Sequence, residues 1–271
     1  MNERRDSHPD AAAQWEADFA EHARRFHALK RLMRRLPADP RCKVCAAPFK
    51  GVGGALARPF GYGQSRKNPK LCDVCIEASP DGGFESEGGI LFADVRGYTR
   101  LSERMSPSEV AALMNRFYAA ASGMVFAEDG ILDKLVGDEV MALFWPPLVE
   151  GEAAEKLAAA AEGLLRAVGY GSDDGSWLEV GVGLDYGPAY VGNVGGGEVR
   201  DFTALGDVVN TAARLQTAAK GGQIVLSERL YERVAERWPD ARRAELSLKG
   251  KAEPVAARVV DLAEERPGHA S

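Results

Sequence analysis

An α+β protein is predicted, in which a helix and a small cysteine module precede a larger domain of alternating strands and helices. The cysteines form two Cys-x-x-Cys pairs between residues 42 and 75, and a turn-rich stretch follows at 79–83. From residue 86 onward, short apolar runs alternate with helical patterns. We therefore expect three parts: an N-terminal amphipathic helix over 1–40, a four-cysteine module over 41–80 and an α+β domain over 86–265.

Composition narrows the class of protein further. The 271 residues include 34 Lys and Arg against 40 Asp and Glu, which gives a net charge of −6. The 45% hydrophobic and 27% charged residues are typical of globular proteins and exclude a fibre or a disordered tail. Net acidity argues against a nucleic-acid partner. No unbroken apolar run suits a membrane span and the start resembles no secretory signal, so we expect a cytoplasmic protein without a membrane partner.

The first element is a helix with one apolar stripe. Two prolines, Pro37 and Pro40, end it. We expect the stripe to dock on a partner helix or on the protein's own core, and we interpret its histidine as a packing residue rather than a ligand. Residues of the stripe recur at spacings of three and four, which is the heptad pattern: Trp15, Phe19, His22, Phe26, Leu29, Met33 and Leu36.

The cysteine module is predicted to bind one metal ion. Cys42 and Cys45 form one pair, Cys72 and Cys75 the other, and the chain has no further cysteine. Two such pairs can place four thiolates around one tetrahedral ion, and a reducing compartment argues against disulfides. We favour Zn²⁺ as the bound ion. The alternatives are an iron–sulfur cluster held by the same four cysteines and, as the simpler interpretation, four buried free thiols. The basic stretch between the pairs is interpreted as a solvated face rather than a nucleic-acid surface.

The larger domain begins with a strand and a capped helix. Gly89–Ala93 has the pattern of a short buried strand that ends at Asp94. Ser106 and Glu109 form a capping box with Pro107 at the first helical position, which predicts a helix through Val125.

A hairpin and a second series of elements follow. Gly137-Asp138 joins the predicted strands 131–136 and 139–144 in hairpin form. An Ala-rich helix is expected next and a Ser227-capped helix later in the domain. The remaining predictions are helices at 152–168 and 206–219, a glycine loop at 195–197, and strands at 178–184, 188–193, 223–226, 244–248 and 255–261.

Two carboxylates stand at strand ends in this pattern. Asp94 closes one strand and Asp138 lies at the tip of the hairpin. Neighbouring sheet edges could bring both side chains to one point, where they would hold divalent cations for phosphate chemistry. The alternative is that each aspartate only caps a turn. Spacing alone does not decide between these interpretations.

The surrounding residues resemble a known family. Phe92–Thr99 resembles the first metal-binding segment of class III adenylyl/guanylyl cyclases, and Asp133–Glu139 is similar to their K-x-x-G-D hairpin. Phe202–Leu215 resembles their V-N-x-A-x-R-L helix, and Leu248–Lys251 their L-K-G segment. The four motifs occur in family order over 86–262, about two thirds of the chain.

The resemblance implies a fold and a metal site. The family's domain is palm-type and ferredoxin-like, with a central, mostly antiparallel sheet, and it forms head-to-tail homodimers with active sites at the interface. By motif position Asp94 and Asp138 would hold two Mg²⁺ or Mn²⁺ ions per site, with the Val95 backbone carbonyl assisting.

It also implies roles for residues that bind the nucleotide. Lys134 and Thr203 match the purine-selecting positions, and Asn210 matches the residue that orients the ribose. Arg214 and Lys249 would contact the phosphates. Many members carry aspartate where this chain has Thr203. Threonine at this position is similar to the subgroup of soluble adenylyl cyclases, some of which respond to bicarbonate. The expected reaction is therefore conversion of ATP to 3′,5′-cyclic AMP and pyrophosphate in intracellular signalling.

Alternatives remain open at this point. The chain could be a guanylyl cyclase, or a non-catalytic cyclase-like dimerisation domain whose four-cysteine module binds nucleic acid or protein. The second would predict losses among the matched positions, and none is seen. A diguanylate cyclase is excluded because the hairpin around Gly137-Asp138 lacks the G-G-D/E-E-F sequence. The sequence does not identify the regulatory ligand or protein that would act on residues 1–85.

Overall fold

The computed structural model describes residues 40–43, 45–76, 82–196, 199–247 and 254–263, with only the backbone of residues 82, 84, 196, 199 and 200. The predicted N-terminal helix with His22 lies outside the described residues, apart from Pro40, and so does Lys249. The chain divides into two compact units. The first holds the described residues up to Glu85 together with Tyr190–Thr203, and the second holds Ser86–Ala189 and the described residues from Ala204 onward. The three-part division by sequence stays a prediction.

The first unit contains the four-cysteine module. Its helices are α1 (Gly51–Ala57) and α2 (Asp73–Ile76), and a 3-10 turn, Arg58–Phe60, follows α1. α1 packs so closely on the preceding loop that a Cβ at Gly54 would lie 2.6 Å from the Phe49 carbonyl carbon. The module's small core includes, besides three of the cysteines, Ala47, Phe49, Leu71 and Ile76.

Eight described strands form one mixed sheet in the order β2-β3-β1-β4-β6-β8-β7, with β5 paired to β4. β1 pairs antiparallel with β3, β2 with β3, β6 with β8 and β7 with β8, whereas β4 and β6 are parallel. This agrees with the predicted α+β class and its mostly antiparallel sheet. The strands are β1 (Gly82–Val95), β2 (Ile131–Val136), β3 (Glu139–Phe144), β4 (Val180–Gly196), β5 (Val199–Leu205), β6 (Gln223–Ser227), β7 (Arg242–Leu246) and β8 (Val255–Asp261).

Five described helices accompany these strands: α3 (Tyr98–Ser102), α4 (Pro107–Ala127), α5 (Ala153–Ala167), α6 (Asp207–Ala218) and α7 (Glu228–Val234). The capping box of α4 is confirmed, because the Glu109 amide donates to Ser106 Oγ at 3.3 Å and the Ser106 amide donates to the Glu109 carboxylate at 2.8 Å. Ser227 caps α7 as predicted, accepting from the Leu230 amide at 3.3 Å. The main core of the second unit packs α4, α5 and α7 against the sheet through Leu91, Phe117, Phe144, Leu157, Leu164, Leu184 and Leu230.

The predicted strands 178–184 and 188–193 are wrong as separate elements, because β4 runs unbroken from Val180 to Gly196. Proline normally interrupts a sheet by lacking an amide donor, but the pairing of β4 with β6 ends at Leu184, so Pro188 lies beyond it. β5 was not predicted, since the glycine loop at 195–197 was expected to lead directly into the helix that follows.

Helix α4 is long and apolar enough, by length and composition alone, to cross a membrane. Core helices pass the same test. Its buried residues, Met114, Phe117, Ala121 and Val125, recur at spacings of three and four. This is the pattern of a helix that packs one face against a protein core.

Candidate active site

The structure brings Asp94 and Asp138 together at one end of the β1–β3 pair. In the antiparallel register Asp94 lies opposite Glu139, the residue that follows Asp138. The Val95 amide donates a hydrogen bond to the Asp138 backbone carbonyl at 3.2 Å. The strand end and the hairpin tip are therefore neighbours. We call Asp94, Asp138 and Glu139 the acidic edge.

The hairpin that presents Asp138 has its own local supports. Gly137 adopts φ +63°, a left-handed conformation that favours glycine at a tight turn. The Tyr118 hydroxyl donates to the Gly137 carbonyl and ties the turn to helix α4. On β2, the first strand of the hairpin, the pairing with β3 shifts between Leu132 and Lys134, so that Asp133 forms a bulge.

Burial and mutual repulsion shape the electrostatics of the acidic edge. Burial raises the pKa of Asp94, the Arg96 guanidinium opposes this, and the charge of Asp138 adds to the rise. The pKa of Glu139 is also raised, first by burial and then by the charges of Asp94 and Asp138. Partly buried carboxylates that repel one another are stabilised by a divalent cation, and carboxylate oxygens are the donors that Mg²⁺ and Mn²⁺ prefer. The residues present therefore fit such an ion.

Arg96 holds the first aspartate in place. Its Nη2 lies 2.5 Å from Asp94 Oδ1, and its Nη1 donates to the Ala219 carbonyl at 3.4 Å. Its amide donates to the Glu179 carbonyl at 2.8 Å. A hydrogen bond from Gln216 to Asp94 favours the charged carboxylate and so opposes part of the rise in its pKa. Sequence reasoning missed Glu139, Arg96 and Gln216, although the first two adjoin predicted site residues.

Helix α6 carries Asn210 and Arg214 on one face, because residues four apart lie one turn above each other. Asn210 is exposed and Arg214 is half-buried. The opposite face is buried through Val208, Ala212 and Leu215. The two polar side chains are therefore on the side of the helix that is open to a ligand or another chain.

The purine-selecting candidates lie in different units. Lys134 belongs to the second unit, with its side chain 46% exposed and its Nζ 3.8 Å from the buried Asp133 carboxylate. Thr203 belongs to the first unit, on β5, and is buried. Asp94, Asp138, Asn210 and Arg214 all belong to the second unit.

The four cysteines form a cluster that could hold a metal ion. Their sulfur atoms all lie within 4.8 Å of one another, with Cys42 and Cys75 Sγ 3.8 Å apart and Cys45 and Cys72 Sγ 3.6 Å apart. Zinc–thiolate bonds of about 2.3 Å in a tetrahedron place the sulfurs about 3.8 Å apart, so the spacing fits Zn²⁺. Hydrogen bonds from the other three sulfurs, Cys45 first, lower the pKa of Cys42, as expected where neighbouring thiols share one thiolate.

A tight turn orients the first cysteine pair. Ala46 adopts φ +62°, and its amide donates to the Cys42 carbonyl at 2.9 Å. The Cys42 amide donates to the Ala47 carbonyl at 2.8 Å. The turn directs both sulfurs to the same side, and three of the four cysteines are buried.

Two solved structures with the same fold are nucleotidyl cyclases, one that acts as an adenylyl cyclase and one as a guanylyl cyclase. The adenylyl cyclase CyaB from P. aeruginosa is 30% identical, with a TM-score of 0.57 over 66% of this chain and 95% of that chain. The guanylyl cyclase Cya2 is 27% identical, with a TM-score of 0.57 over 66% of this chain and 93% of that one. Both share the fold described above.

The family model for the adenylate and guanylate cyclase catalytic domain matches residues 85–259, and the chain belongs to this family. The adenylate cyclase of Anabaena cylindrica is 33% identical over 150 residues, 51% of this chain and 29% of that enzyme. Adenylate cyclase 1 of Rhizobium meliloti (strain 1021) is 34% identical over 149 residues, 52% of this chain and 22% of that enzyme. The chain thus spans a third or less of the length of these curated relatives. The resemblance stated from the four motifs is confirmed.

Proposed function

We propose that the protein is an adenylyl cyclase that converts ATP to 3′,5′-cyclic AMP and pyrophosphate. The observation that carries the proposal is the acidic edge, where Asp94 and Asp138 meet within a cyclase-family fold. The choice of ATP over GTP is supported by the Lys134 and Thr203 pair and by the curated relatives named adenylate cyclases.

In this proposal the acidic edge binds the catalytic cations. Asp94 and Asp138 would hold two Mg²⁺ or Mn²⁺ ions, with the Val95 carbonyl as a further oxygen donor. Such ions, when bound, lower the pKa of the ribose 3′-hydroxyl and neutralise phosphate charge. Arg96 would keep Asp94 in position through the 2.5 Å contact between Nη2 and Oδ1.

Residues of α6 would orient the nucleotide for reaction. Asn210 would position the ribose, so that the 3′-hydroxyl loses its proton to water and its oxygen bonds to the α-phosphorus while the bond from that phosphorus to pyrophosphate breaks. Arg214 and Lys249 would stabilise the negative charge that builds on the phosphate oxygens, as fixed cations do in phosphoryl transfer.

We further propose that the active site is shared between two copies of the chain. One chain would supply Asp94 and Asp138, and the other Lys134, Thr203, Asn210 and Arg214. The outward position of Asn210 and Arg214 on α6 supports this arrangement. On the hairpin, Leu135 is 43% exposed and Val136 61% exposed, apolar surface that a second copy would cover.

We also propose that the four-cysteine module binds one Zn²⁺ ion. Four thiolates at these spacings form a closed tetrahedral site, which is typical of structural rather than catalytic zinc. An iron–sulfur cluster is the alternative that elemental analysis would distinguish. A cytoplasmic location without a membrane or nucleic-acid partner stays a prediction.

The direct test is an assay of purified protein with ATP or GTP and either Mg²⁺ or Mn²⁺, followed by identification of the product. We expect cyclic AMP and pyrophosphate from ATP. Faster turnover of GTP would replace the proposal with a guanylyl cyclase. No cyclic nucleotide under any condition would favour a non-catalytic dimerisation domain.

A further inference from the structure

Within the first unit, one lysine of the four-cysteine module contacts strand β5 beside Thr203. Lys67 Nζ donates to Asp201 Oδ1 at 2.5 Å and to the Phe202 carbonyl at 2.7 Å. We propose that Lys67 is a positioning residue that couples metal binding by the four-cysteine module to nucleotide selection through Thr203. The role given to Thr203 rests on the proposed function.

The contact is more than a surface ion pair. The Lys67 side chain is only 18% exposed, and its ammonium group bonds to two successive residues of one strand. Hydrogen bonds that involve a charged group are about twice as strong as neutral ones, and partial burial reduces their screening by salt. Because the second acceptor is the carbonyl immediately before Thr203, the contact holds the backbone that carries the threonine.

The position of Lys67 depends on a loop, residues 64–71, that is held by internal hydrogen bonds and leads into Cys72. The Ser65 amide donates to the Leu71 carbonyl at 2.9 Å, and the Lys67 amide donates to Ser65 Oγ at 3.2 Å. Asn68 is buried, and its Oδ1 accepts from the Lys70 amide at 2.8 Å. These bonds leave the loop little freedom to move Lys67 independently of its ends.

Both ends of this loop are tied to Cys72. Gln64 forms an isolated β-bridge with Cys72, and Leu71 directly precedes it. Cys72 Sγ is one of the four clustered sulfurs. A metal ion bound there would therefore fix the base of the loop and, through Lys67, the segment of β5 before Thr203. Loss of the ion would make the loop, Lys67 and the segment of β5 before Thr203 more mobile.

The test compares Lys67→Met with the matched control Arg66→Met, which changes a neighbouring exposed cation. We expect Lys67→Met to raise the KM for ATP about tenfold and to lower the preference for ATP over GTP, with kcat changed by no more than about twofold. Lys67→Arg should recover part of the loss because it restores the positive charge. Arg66→Met should behave as wild type, and all variants should retain the wild-type zinc content.

A second measurement does not depend on activity. Hydrogen–deuterium exchange of the peptide spanning 199–205 should be faster in Lys67→Met and in Asp201→Asn than in wild type. Zinc-stripped wild type should show the same increase, whereas Arg66→Met should not. Unchanged exchange in both variants would overturn the coupling, and so would an unchanged KM and nucleotide preference in an active enzyme. A wild type that makes no cyclic nucleotide would instead contradict the proposed function, and the exchange data would still decide the coupling.

Discussion

Asp94 is the residue on which the proposed chemistry depends most. It is partly buried, is held by Arg96 at 2.5 Å and is repelled by Asp138. A group held in an unfavourable environment by its neighbours is characteristic of a functional site. Its location at a strand end was predicted from the apolar run before it, and its meeting with Asp138 was expected from the motifs. The hydrogen bond from Gln216 on α6 joins distant segments, which local patterns do not show.

Replacement of Asp94 with asparagine tests its role as a metal ligand. Asp94→Asn keeps the shape of the side chain but removes the charge, so cyclic AMP formation should fall by at least about a hundredfold. The melting temperature should stay within a few degrees of wild type. Asp174→Asn, at an exposed position in the second unit, is the control and should retain full activity. Substantial activity in folded Asp94→Asn would remove this residue from the metal site.

Asp185 illustrates a carboxylate with a structural role. It is fully buried and accepts hydrogen bonds from the Tyr186 amide at 2.8 Å, Ser227 Oγ at 2.5 Å and Arg229 Nε at 2.7 Å. Asp185→Ala would leave these donors without their acceptor, so the free energy of unfolding should fall by about 3 kcal/mol. Urea denaturation would measure this, with exposed Glu232→Ala as the control. A loss below about 1 kcal/mol would show that water replaces the carboxylate.

At the scale of elements, helix α6 is placed by its close approach to strand β4. A Cβ at Gly183 would lie 2.1 Å from the Gln216 amide nitrogen and 2.3 Å from the Ala212 carbonyl oxygen. Both atoms are helix backbone, so a side chain at this position would push the whole helix away. The same helix carries Asn210 and Arg214, and its placement therefore matters for the proposed function as well as for packing.

Gly183→Ala should consequently reduce both stability and activity. We expect a loss of about 2–3 kcal/mol in the free energy of unfolding, together with a lower kcat from displaced Asn210 and Arg214. Gly123→Ala is the matched control, because a Cβ there meets nothing within 4 Å and alanine favours the helix. It should stabilise the protein by up to about 1 kcal/mol with unchanged kcat. Equal behaviour of the two variants in thermal melts and assays would contradict this account.

The elements differ in how well the sequence predicts them. The capping box at Ser106 and the hairpin at Gly137 rest on neighbouring residues, and their predicted positions were confirmed. β4 continues through Pro188 in a sheet where its neighbours β1 and β6 are distant in sequence, and local patterns do not show such neighbours. Glu139 follows Asp138 in the sequence, but its place opposite Asp94 depends on the register of β1 and β3, so the same limit applies to the site.

For the molecule as a whole, the four-cysteine module should affect regulation more than chemistry. Cys42→Ser removes one of the four proposed zinc ligands, so zinc binding should be lost and the first unit should unfold at a lower temperature. We expect a higher KM for ATP with a smaller change in kcat, because none of the matched catalytic residues lies in the module. Elemental analysis and steady-state kinetics would check both expectations. Full zinc retention in Cys42→Ser would exclude a four-thiolate site.

The central claim is that two chains build each cyclase site, and complementation between two inactive variants tests it most directly. Asp94→Ala removes a proposed metal ligand and Arg214→Ala removes a proposed phosphate contact, so each homodimer should be inactive. Co-expressed, the variants should form about half mixed dimers, each with one intact site of two, and roughly a quarter of wild-type cyclic AMP formation should return. Differential tags would confirm that the mixed dimers are present. Mixed dimers that make no cyclic AMP would contradict the claim and place the whole site within one chain.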